Sequence, residues 1–82
     1  MENSERKLIQ EILNTVDVLY DFEHTDDDNK EYTLVLRRQD NDERPLEQIN
    51  KEIKHYFQEA NFTYNEQLNP NVDVDIRVEI KR

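Results

Sequence analysis

No cysteine, glycine or tryptophan occurs in this sequence, and proline occurs only twice. Without cysteine there is no disulfide staple, no thiolate metal site and no cysteine nucleophile. Without glycine, phosphate-cradling loops and the strained nucleophile elbow are excluded, because both need backbone that a Cβ would obstruct. Average usage of about 7% would place roughly six glycines in a chain of this length. Basic charge is scarce too: 11 Lys and Arg stand against 20 Asp and Glu, a formal net charge of −9. Direct binding to DNA or RNA needs a basic footprint, and an anionic membrane surface repels this composition. No apolar run is long enough for a membrane helix or a signal-peptide core, so a cytoplasmic protein is expected.

What is present is periodic. Apolar residues make up 34% and charged residues 38% of the 82 positions, values that drift toward disorder, but the apolar ones recur at regular spacings that disordered chains rarely show. A single small acidic domain over residues 1–82 is expected. Ser4 or Asn3 can cap a first helix with Glu5 in its first turn, and Leu8, Ile9, Ile12, Leu13 and Val16 share one helical face. From Val16 to His24 the alternation of Val16, Val18, Tyr20, Phe22 and His24 fits a strand, although positions 12, 16 and 20 also share a helical face; the β-branched and aromatic content favours the strand. Thr25 to Asn29 reads as a turn, in which Asp and Asn tolerate positive φ where glycine is unavailable.

EYTLVLRR then forms the second strand of a hairpin, with Tyr32, Leu34 and Leu36 on one face and Thr33, Val35 and Arg37 on the other. Gln39–Arg44 is a polar connection, and Pro45 suits the first turn of a second helix. Its expected buried stripe is Leu46, Ile49, Ile53, Tyr56, Phe57 and Ala60, and Glu47 with Lys51 is a favourable pair across one turn. Phe62, Tyr64, Glu66 and Leu68 alternate, Asn69–Asn71 turns the chain, and Val72, Val74, Ile76, Val78 and Ile80 mark one face of a last strand. The order αββαββ predicts an α+β two-layer domain, an antiparallel sheet with two helices on one face.

No catalytic or metal constellation stands out, and no cofactor is implied. His24 and His55 are the only histidines, and an exposed or structural role outweighs that of a general base for both. Asp26, Asp27 and Asp28 fail the twelve-residue calcium-loop pattern, because positions six and twelve fall on Glu31 and Arg37. The seven Tyr and Phe rings have acidic neighbours, so they read as core and not as base-stacking platforms.

The outward acids are the more informative feature. Alternate residues on one strand face stand about 6.6 Å apart, close to the ~7 Å between successive phosphates that the axial rise and radius of a DNA strand imply. Asp73 with Asp75, and Asp21 with Glu23, are expected to present carboxylates at that interval, with Asp26, Asp27 and Asp28 extending the second row. Residues 1–41 carry 11 acids and 5 bases, against 9 and 6 in residues 42–82, so the first half is expected to be the more acidic surface. Leu19 and Val35 are expected on the same outward face, as apolar anchors amid the acids. The bland alternative is that these charges only keep the sheet soluble and discourage edge pairing.

In size, lack of cysteine, acidity and element order, carried by stretches such as YDFEHTDDDNKEY and NVDVDIRVEIKR, the chain resembles small phage-encoded inhibitors of nucleic-acid enzymes: anti-CRISPR, anti-restriction and uracil-glycosylase-inhibitor proteins. The resemblance implies a non-enzymatic protein-binding inhibitor that acts as a DNA mimic, its partner being the basic groove of a nucleic-acid-binding protein. It carries no motif from which residue roles transfer. The second expectation is an assembly module that self-associates, as a homodimer, through the last strand as a sheet edge.

Overall fold

The computed structural model describes residues 4–82. It contains α1 (Ser4–Val16), β1 (Leu19–Asp26), β2 (Glu31–Arg37), α2 (Leu46–Glu59), β3 (Thr63–Asn71) and β4 (Val74–Lys81). The strands form one antiparallel sheet in the order β1-β2-β4-β3. Both helices lie on the same face, giving the α+β two-layer architecture that the periodicity predicts.

The core follows from the two spacings. Ile9, Ile12, Leu13 and Val16 of α1 and Ile49, Ile53 and Phe57 of α2 are buried against Tyr32, Leu34 and Leu36 of β2 and Ile76, Val78 and Ile80 of β4. The two central strands thus supply most of the sheet's buried face. Phe57 stacks on Tyr64 at 5.9 Å and meets Phe62 edge-on at 5.5 Å.

Both helices end alike. Asp17 and Asn61 take left-handed backbone, with φ of 65° and 68°. The amides of Val18 and Asp17 bond to the carbonyls of Leu13 and Asn14, and those of Phe62 and Asn61 to Phe57 and Gln58. These are Schellman motifs, in which glycine usually takes the left-handed position; here Asp and Asn substitute for it.

Several expectations are corrected. The last strand is not a sheet edge: β4 lies between β2 and β3, so self-association through it as an edge strand is ruled out, and the edges are β1 and β3. Asn69–Asn71 does not turn the chain. β3 runs on through Asn71 with an irregularity after Leu68, and the turn falls on Val72 and Asp73. Val72 is consequently 99% exposed instead of belonging to the buried row.

Val16 ends α1 instead of opening a strand, and β1 begins at Leu19. Thr25 and Asp26 belong to β1, and the positive φ of the first hairpin turn falls on Lys30, not on an Asp or Asn. Tyr56 is 41% exposed, because it sits just beyond the stripe defined by Ile49, Ile53 and Phe57. Ser4 is the first described helical residue and its hydroxyl donates to Glu5 Oε2 at 2.6 Å; the alternative cap, Asn3, lies outside the described residues.

Candidate functional site

The helices cover one face of the sheet and leave the other uncovered. On that face, register sets Leu19 of β1 opposite Arg37 of β2, and Asp21 opposite Val35. Leu19, Asp21, Val35 and Arg37, with Asp73 and Val74 from the second hairpin, line a shallow depression of about 210 Å³. Leu19 is 49% exposed. Four expected partner-binding residues, Leu19, Asp21, Val35 and Asp73, are therefore brought together from three segments.

The remaining expected residues lie elsewhere. A one-residue bulge in β1 between Phe22 and His24 puts an extra residue, Glu23, into the strand at that point. The guanidinium of Arg77 donates to Glu23 at 2.8 Å and to Glu79 at 3.0 Å, a three-residue ion-pair chain across the outer face. These bonds hold the Arg77 guanidinium protonated above its ordinary range, the Glu23 bond being the main cause. Lys81 pairs with Glu31 at 3.0 Å on the same face. The sheet centre is a mixture of signs and not an unbroken carboxylate row.

Asp75 is half-buried and accepts the backbone N–H of Arg38 at 2.8 Å, which fixes the exit of β2. Asp73 stands in the turn before β4, not in the strand, so the two do not form the expected row.

Asp26 closes the far end of β1, about 23 Å from Leu19 for seven strand steps, and Asp27 and Asp28 lie in the turn beyond it. Asp26 accepts the backbone and side-chain N–H groups of Asn29 at 3.1 and 2.8 Å, and these bonds, the side-chain one foremost, lower its pKa. Asp27 pairs with Arg6 at 3.3 Å and accepts the hydroxyl of Tyr32 at 3.0 Å. Burial, with help from Asp27, pushes the Tyr32 phenol up to about 12. Cations gather at this end: Lys30 and Arg82 both approach Glu5, which is buried at the start of α1. His24 lines a separate polar depression with Glu31, Thr33 and Lys81, and His55 pairs with Glu59 at 3.3 Å on the exposed side of α2.

The opposite end was not legible as a unit in the sequence. There β1 and β4 start, β2 and β3 finish, α1 ends and the loop from 38 to 45 crosses to α2. Asp17, Asp21, Asp40, Asp42, Glu43 and Asp73 gather at this end, with Arg37, Arg38 and Arg44 the only basic side chains in those segments.

Arg44 is committed to structure. It donates to the Val16 carbonyl at 2.8 Å, to both oxygens of Asp42 and to Glu52 at 3.1 Å. The same guanidinium lowers Asp42 to about 2, chiefly through its side-chain bonds. Arg38 donates to the Arg44 carbonyl at 2.8 Å. Asp21, Asp40, Glu43 and Asp73 make no ion pair within 4 Å among the described residues. No family model, curated protein or solved structure matches the chain.

Proposed function

We propose that this protein is a small non-enzymatic binding module of inhibitor type. Its Leu19–Val35 face docks onto the basic nucleic-acid groove of a target protein and occupies it in place of the polyanion. The observation that carries this reading is the convergence of Leu19, Val35, Asp21 and Asp73 on one depression of the uncovered sheet face, at the end where free carboxylates gather. An apolar centre supplies a surface that excludes water, and a charged rim steers the approach. Charge alone fits a basic partner, since a chain of net charge −9 is repelled by nucleic acid and by anionic lipid alike. The imitation of phosphate is local to this end and to Asp21 and Asp73, because Arg77 interrupts the acids of the sheet centre.

The test uses the full chain immobilised against a fraction of cellular proteins that bind heparin. A captured partner is expected to be released by added duplex DNA and by salt. Asp21→Asn with Asp73→Asn slows association more than it speeds dissociation, whereas Leu19→Ser acts mainly on dissociation. Capture that is indifferent to competing DNA and to both variants rejects the reading.

A further inference from the structure

We propose that a second copy of this chain adds to the β3 edge, joining two sheets into one continuous antiparallel sheet of eight strands. The two edges of the sheet differ in a way that selects this one. β1 carries Asp21, Glu23 and Asp26 and a bulge at Glu23, devices that discourage a further strand. β3 has its protection only at its end, where Pro70 and the irregularity after Leu68 stand. From Thr63 to Leu68 it is regular, lacks lysine and proline, and holds a single charge, Glu66. That charge is drawn back toward α2, with Lys54 at 3.7 Å and the Asn50 amide at 3.3 Å. In a chain with 38% charged residues, this is the stretch on which two acidic copies meet with least repulsion. No backbone hydrogen bond from β3 to a segment other than β4 occurs among the described residues.

Self-complementarity identifies the occupant. In an antiparallel pair related by a twofold axis, facing residues must point to the same side of the sheet. An axis at Asn65 sets Asn65 against its own copy, Thr63 against Gln67 and Tyr64 against Glu66, so that no like charges face each other. Moving the axis by one residue to Glu66 sets that carboxylate against its own copy and is disfavoured. Asn65 and Gln67 bring amides, each both donor and acceptor, to the seam on the outer face. The twofold runs through the sheet, so the two Leu19–Val35 depressions fall on the same side, and the two outermost strands, both β1, stand about 33 Å apart across seven strand spacings.

Sedimentation equilibrium on the full chain, at rising concentration and at low and high salt, tests this. A dimer that strengthens with salt is expected, because screening relieves repulsion between two acidic copies. Docking onto a basic partner weakens with salt, so the two proposals fail separately. Asn65→Lys and Asn65→Asp, each on the exposed side of the sheet, place like charges on the axis and are each expected to be monomeric with an unchanged circular dichroism spectrum. Mixed together they are expected to pair as a heterodimer. A wild-type chain that stays monomeric at millimolar concentration in high salt overturns the proposal. So does a dimer that both variants leave intact.

Discussion

Arg44 ties together three parts of the chain with one side chain: the Val16 carbonyl that ends α1, Asp42 in its own loop, and Glu52 on α2. A lysine in its place has no planar fork to make these bonds simultaneously. The consequence is readable at Asp42, whose carboxyl is lowered from its ordinary 3.8 to about 2. A depressed carboxylate contributes stability that is fully present above the unfolded value and is lost as pH falls through the folded one. The loop contribution is therefore expected to be intact above pH 4 and to disappear between about 4 and 2. NMR titration of the Asp42 side chain checks this in the wild type, and in Arg44→Lys the midpoint is expected to move back up toward 3.8. The sequence shows QDNDER only as a polar connection. Nothing in its spacing reveals that the last residue reaches across 28 positions to Val16, because such a bond depends on tertiary placement.

At the scale of elements, the absence of glycine has a local solution at each helix end. Left-handed backbone is disfavoured for residues with a Cβ by roughly 1–2 kcal/mol, and Asp and Asn lower that penalty through local hydrogen bonds. Asn61→Ala is expected to destabilise the fold by about 1 kcal/mol, while Asn61→Gly lies between neutral and about 0.5 kcal/mol stabilising, since glycine also enlarges the unfolded ensemble. Urea denaturation of the two variants beside the wild type measures the difference; equal losses in both would mean that the side chain of Asn61 acts by some route other than backbone conformation. The elements themselves were legible because buried faces repeat at 3.6 or 2 positions: α1, β2, α2 and the buried row from Ile76 to Ile80 all follow that rule. The strand ends were not legible where the period persists beyond the element. Val72 continues the alternation in sequence yet stands in a turn, and Asn69–Asn71 looks like a turn yet is held by pairing between Asn71 and Val74.

For the whole molecule, sheet order decides what the sequence alone left open. Reading the first half as the more acidic surface treats neighbours in sequence as neighbours in space, but β1 carries Asp21 and Asp26 to opposite ends of the sheet. Folding instead gathers Asp21 with Asp73 and the loop before α2 while setting Asp27 beside Arg6. The placement of Leu19 and Val35 on one face, by contrast, was legible, since a period of two in each strand of the hairpin points both outward. The resulting charge distribution makes a further prediction about stability. The ion pairs span 2.6 to 3.8 Å, well inside the Debye length of about 10 Å at 0.1 M salt. Repulsion among the excess carboxylates acts over longer distances and is screened first. Moderate salt is therefore expected to stabilise the fold despite weakening individual surface pairs, each of which contributes about 0–1 kcal/mol. A net gain near 1 kcal/mol raises Tm by roughly 4–8 °C for a domain of this size. Thermal melts followed by circular dichroism at dilute concentration, where self-association does not contribute, measure the shift. A Tm that falls between 10 and about 150 mM salt would mean that short-range pairs outweigh the repulsion of the net charge.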